Sequence, residues 1–131
     1  GEAPDAGPAV PEDRCLNAAD TAAAQGVYGD DEETAGDIAG RCGKSCLLSG
    51  APDQEACTVA CMTEAMGGAM SESCSGCYYA SVACAADNCL AACLSGTDEE
   101  CLACRCGGNP NAVNCFDVFT ACSGIPSTSC D

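Results

Sequence analysis

The chain has 131 residues with 16 cysteines and no histidine, and its formal charge is −16, from four Lys or Arg against twenty Asp or Glu. Four cations (Arg14, Arg41, Lys44 and Arg105) make nucleic acid a poor partner, because phosphate binding needs basic charge, and disfavour an anionic membrane surface in the same way. Six Leu, two Ile, six Val and two Phe are too thin a core to offset chain entropy, so one compact unit held by disulfides, each contributing roughly 2–4 kcal/mol, is expected.

In chain order, residues 1–11 (GEAPDAGPAVP) have the Pro, Ala and Gly content of an extended N-terminal arm. The arm is expected to be held by the body of the protein or by a neighbouring copy. A single disulfide-rich domain over 12–131 follows. Pro11-Glu12-Asp13 predicts a first helix with acidic residues at its positive end, closed by Gly26. A second is predicted from Asp30–Glu33 to Leu48 and Gly50, with close backbone packing at Gly36, Gly40 and Gly43. Asp53 caps a third, which runs to about Met66 and stops at Gly67-Gly68.

Ser73 or Ser71 caps a fourth helix through Tyr78, Tyr79 and Cys84. Short helices are predicted over 88–94 and 98–106, the second opened by a Thr97–Glu100 capping box. Pro110 suits the first position of a last helix over 110–122, ended by Gly124. Alternation of β-branched residues is nearly absent, so strands are not expected and the fold class is all-α, with units over about 30–68 and 71–107 and a C-terminal helix.

The cysteines repeat a pattern. Residues 42–61 read C-GKS-C-LLSGAPDQEA-C-TVA-C, and residues 89–104 read C-LAA-C-LSGTDEE-C-LA-C. Cysteines at i and i+4 share one helical face, and a Ser-Gly turn followed by a fresh acidic helix start returns the chain antiparallel. Facing helices favour outer-to-outer and inner-to-inner pairs: Cys42 with Cys61, Cys46 with Cys57, Cys89 with Cys104, Cys93 with Cys101. Spacing assigns no partners to Cys15, Cys74, Cys77, Cys84, Cys106, Cys115, Cys122 and Cys130.

The unit from Cys42 to Cys61 resembles the twin C-x3-C helical hairpins of small chaperones of the mitochondrial intermembrane space, a likeness of about twenty residues that implies a staple and not a chaperone activity. The stretch CSGCYYASVACAADNCLAACL with FTACSGIP is similar to cysteine-rich exported proteins of GC-rich, multicellular or predatory bacteria, which implies bacterial export.

Other features have bland readings that outweigh the chemical ones. Cys74-Ser-Gly-Cys77 and Cys101-Leu-Ala-Cys104 lack the βαβ setting and lowered thiol pKa of a redox site, so structural disulfides are expected. Paired C-x2-C knuckles with histidine, the usual zinc pattern, are missing, and no metal or cofactor is expected. Asp30, Asp31, Glu33 and Asp37 form a weak Ca²⁺ candidate that fails EF-hand spacing, and acids at a helix N-terminus explain them better. Met62, Met66 and Met70 read as core or interface. No catalytic residue is assigned, since triad chemistry lacks its usual base without histidine.

No apolar run reaches the length of a membrane span, so no membrane insertion is expected, and the polar, small-residue start is expected of a mature exported chain. The functional expectation is an extracellular or cell-surface structural subunit, non-catalytic, whose partner is another copy of itself, with divalent cations as a possible bridge. Candidate interface residues are Pro4, Val10, Pro11, Tyr78, Tyr79, Phe116 and Phe119, because aromatics and prolines of an arm dominate such contacts. The alternatives are a secreted binding module, inhibitor or effector, and an acidic Ca²⁺-binding surface protein.

Overall fold

The computed structural model describes residues 13–130, which form seven helices and one two-stranded hairpin. The elements are α1 (Ala18–Gln25), β1 (Val27–Tyr28), β2 (Glu33–Thr34), α2 (Ala35–Ser49), α3 (Gln54–Ala65), α4 (Glu72–Asn88), α5 (Leu90–Ser95), α6 (Asp98–Arg105) and α7 (Cys115–Ser123). The protein is a small disulfide-rich all-α bundle.

Local chemistry sets most helix starts. The side chains of Asn17, Thr34, Asp53, Ser71, Thr97 and Asn114 each accept a backbone N–H of the turn that follows, supplying an acceptor that a helix N-terminus otherwise lacks. Thr34–Asp37 and Thr97–Glu100 are reciprocal capping boxes. The cap of α4 is Ser71 and not Ser73. Only α5 has no side-chain cap: it follows a kink at Cys89 directly after α4 ends at Asn88, so the chain turns two residues later than the sequence predicts.

Three predicted helix starts are moved by the structure. Residues 14–15 form a turn, and α1 begins at Ala18. Tertiary bonds draw this segment out of the helix: the N–H groups of Arg14 and Cys15 donate to the carbonyls of Cys122 and Ser123, and Cys15 is bonded to Cys74. Asp30–Glu33 is a hairpin turn rather than a helix start. Gly29 and Glu32 have φ of +73° and +52°, which reverses the chain and pairs Val27 with Thr34 and Tyr28 with Glu33. The hairpin is also an exception to the expected absence of strands.

Residues 110–114 are a loop rather than the first turn of α7, with Ala112 at φ +53°. Asn109 organises this loop by accepting from the N–H of Asn111 and Val113 and donating to the carbonyls of Cys104 and Val113. Asparagine side chains compete with helix bonding in this way.

The core is made largely of sulfur and small side chains. Ile38 and Met62 are its largest fully buried members, and Met66 and Met70 pack beside them with Cys15, Cys42, Cys74 and Cys77. All sixteen cysteines are paired. The first hairpin joins Cys42 to Cys61 and Cys46 to Cys57, and the second joins Cys89 to Cys104 and Cys93 to Cys101. Four longer links close the bundle. Cys15–Cys74 ties the entry segment to α4, Cys77–Cys122 and Cys84–Cys115 tie α4 to α7, and Cys106–Cys130 holds the tail. Neither C-x-x-C bonds internally, so neither is a redox pair. Eight disulfides belong to an oxidising, extracellular-type environment.

A buried carboxylate joins two helix starts. Asp20 is 1% exposed and accepts from Ser71 N (2.7 Å), Ser71 Oγ (2.6 Å) and Asn17 Nδ2 (2.8 Å). Burial by itself raises its pKa, but the bonds from Ser71 and Asn17 outweigh that and bring it below the ordinary 3.8. Asp20 thereby fastens the N-terminus of α1 to the N-terminus of α4.

Candidate functional site

The long helix α4 packs against both α2 and α7, and the side chains between those two neighbours line an open groove of about 1050 Å³. The groove depends on small residues. At Gly43 the Val82 side chain packs so closely that an added Cβ would collide with Val82 Cγ1. One turn earlier, a Cβ on Gly40 would meet nothing within 4 Å, and Gly36 has only an ordinary contact with Thr34. The predicted close packing is thus confined to Gly43, while Gly36 and Gly40 leave the groove wall open.

Aromatic side chains give the groove its apolar surface. Tyr78, Tyr79, Phe116 and Phe119, four of the five aromatics in the chain, all line it. Tyr78 and Phe119 form a tilted ring pair with centroids 4.6 Å apart, linking α4 to α7. Leucines extend the surface: Leu47, Leu90 and Leu94 are 37–45% exposed and Leu48 is 70% exposed. Single exposed leucines are ordinary, but four bordering one groove form a patch.

The basic residues gather here as well. Arg41, Lys44 and Arg105 line the groove, three of the four cations in the chain, with Asp37 and Asp87 as the lining carboxylates. Arg41 is held by Glu33 through a two-pronged bond, Nε to Oε2 at 2.9 Å and Nη2 to Oε1 at 3.0 Å. The guanidinium of Arg105 lies 4.4 Å above the centre of the Phe116 ring, and burial lowers its pKa. The groove therefore joins an aromatic surface to a positive rim in a molecule that is otherwise strongly acidic.

The tyrosine hydroxyls remain neutral at ordinary pH. Burial pushes Tyr78 up to about 12; Tyr79 is also raised, first by burial and then by the carboxylates of Glu55, Asp87 and Asp53. Such groups offer hydrogen bonds and flat apolar area rather than a base or nucleophile.

The other candidates are not brought together. Pro4, Val10 and Pro11 lie outside the described residues. Of the Ca²⁺ candidates Asp30, Asp31, Glu33 and Asp37, Glu33 is engaged by Arg41 and Asp37 by the Thr34 backbone N–H at 3.1 Å. Among the described residues no three His, Cys, Asp or Glu side chains converge as a metal site. The methionine stripe is buried rather than presented. No helix among the described residues is long and apolar enough to cross a membrane.

Sequence reasoning singled out the aromatics but missed the cations and leucines beside them. The available signal was Arg41, Lys44 and Leu48 at i, i+3 and i+7 along one face of α2. Fold and groove together define a disulfide-stapled helical protein with an open, aromatic, basic-rimmed surface. No protein-family model, curated protein or solved structure matches the chain, so neither local likeness in its cysteine spacing extends to a family.

Proposed function

We propose that the protein is a non-catalytic structural subunit, secreted or on the cell surface, that associates with copies of itself into a filament or surface assembly. The observation that supports this reading best is the segregation of surface character. Three of four cations and four of five aromatics share one groove, while the charge of the whole chain is −16. Like-charged copies repel one another, and the groove, lined by three cations against Asp37 and Asp87, is where that repulsion is weakened.

A groove on one copy that receives a different part of the next makes a heterologous contact, and such contacts propagate when the rotation does not close. Eight cross-links suit a durable building block, and neutral tyrosines in a chain without histidine suit a surface that binds without reacting.

Electron microscopy and sedimentation velocity on the native protein test the reading. Filaments, or a sedimentation coefficient that rises with concentration, are expected. A monomer at every concentration would sink the reading and leave the groove to a secreted binding module, inhibitor or effector. Calcium calorimetry with a stoichiometric heat would instead bring back the acidic Ca²⁺-binding protein.

A further inference from the structure

We infer that the groove between α2 and α7 is the acceptor for residues 1–12 of a neighbouring copy, seated as an extended polyproline II strand. The inference rests on the self-association reading and names the contact that it needs.

The segment carries the matching chemistry in its sequence. Pro8-Ala9-Val10-Pro11 has the P-x-x-P spacing, and with three residues per polyproline II turn both prolines fall on one edge of the strand. Grooves that bind such edges are lined by aromatic rings, because a pre-formed extended strand loses little entropy on docking and proline packs flat against a ring. Tyr78, Tyr79, Phe116 and Phe119 supply those rings here.

Charge fixes the partner further. The segment has three acidic residues, Glu2, Asp5 and Glu12, and no basic one. It meets a rim carrying Arg41, Lys44 and Arg105. Of the three, Lys44 is exposed, while Arg41 is shared with Glu33 and Arg105 lies over Phe116; Arg14 is the one further cation of the chain.

The point of departure also fits. Asp13 lies against Gly124, where an added Cβ would come 2.6 Å from Asp13 Oδ1, and the Arg14 N–H donates to Cys122 O at 3.1 Å. Pro126 to Ser129, just beyond Gly124, form part of the groove lining. The described chain thus begins, at Asp13, beside a segment that leads into the groove lining. A twelve-residue polyproline II strand at ~3.1 Å per residue spans ~37 Å.

A complementation experiment on the full-length chain tests the contact. Gly40→Trp fills the groove from a position where an added Cβ meets nothing within 4 Å, and Lys44→Glu reverses an exposed rim charge without touching the core. The double variant Pro8→Gly with Pro11→Gly spoils the strand and leaves the groove intact. Each of the three is expected to sediment as a monomer under conditions where the native protein assembles, with unchanged far-ultraviolet circular dichroism.

A mixture of Gly40→Trp with the double proline variant is expected to yield dimers and nothing larger, because only one competent strand can meet one competent groove. Assembly that survives both Gly40→Trp and Lys44→Glu overturns the inference and leaves the self-association reading standing. A native protein that stays monomeric, yet whose Tyr78 and Phe119 ring resonances move on proline substitution, places the strand in its own groove and overturns both. An acyl chain or foreign peptide found in the groove by native mass spectrometry also overturns the inference.

Discussion

Two hairpins in this molecule share one cysteine pattern and lead different lives. The α2–α3 hairpin buries the α2 ends of its staples, with Cys42 and Cys46 at 0% and 2% exposure and Cys57 and Cys61 half-buried, and α2 also buries Ala35, Ile38 and Ala39. The α5–α6 hairpin buries one staple, Cys89–Cys104 at 3% and 8% exposure, but its helix α5 buries no residue, has no side-chain cap, and leaves Leu90 and Leu94 exposed. The first is part of the core and its disulfides reinforce contacts that packing already favours. The second has little packing of its own and is held chiefly by its cross-links and by its attachment to α4. A cysteine motif therefore specifies a local shape without specifying how that shape is used.

The largest expected difference comes from removing one staple in each hairpin. Replacing Cys42 and Cys61 together by Ala should lower global stability by about 2–5 kcal/mol in denaturant unfolding, because a core cross-link is lost and the surrounding packing is loosened. Replacing Cys93 and Cys101 should leave the cooperative transition nearly in place while amide exchange accelerates within 90–105. Equal losses of global stability would break the contrast between the hairpins.

Gly43→Ala probes the buried hairpin without touching sulfur. Its methyl group would meet Val82, whose branched side chain has few alternative rotamers, so a loss of about 1–3 kcal/mol is expected in thermal unfolding. Gly40→Ala, one turn away and unobstructed, should instead stabilise the helix by about 1 kcal/mol. The opposite signs would locate the tight contact at a single turn of α2.

Acid should act on the core before the second hairpin. Asp20 titrates below 3.8 in the folded state, so its contribution is present above 3.8 and is lost as pH falls from there through the folded value. Asp20→Ala should cost about 1–3 kcal/mol near neutral pH and flatten the acid limb of the stability profile. An unchanged acid limb in that variant would mean that the bond to Ser71 contributes nothing to the coupling of α1 and α4.

Much of the architecture was legible in the sequence for local reasons. Asp53, Ser71 and Thr97 mark helix starts because a short polar side chain reaches its own following N–H groups wherever the helix ends up. The ladder pairs of both hairpins follow from a short reversal between two helix faces with cysteines at i and i+4 or i+3, a geometry internal to about twenty residues. Three helix starts were not legible, at residues 13, 30 and 110, because distant partners intervene. Cys122 and Ser123 hold Arg14 and Cys15, left-handed Gly29 and Glu32 reverse the chain, and Asn109 organises the loop before α7.

The sequence by itself determined the all-α class, the oxidising setting and the two stapled hairpins, since composition and short-range spacing act within single segments. The tertiary structure decided the four long disulfides, the burial of α2 in the core and the exposure of α5. It also decided the meeting of Arg41, Lys44 and Arg105 with four aromatics in one groove. Those outcomes depend on α4 lying between α2 and α7, an arrangement of segments far apart in the chain that no local pattern encodes.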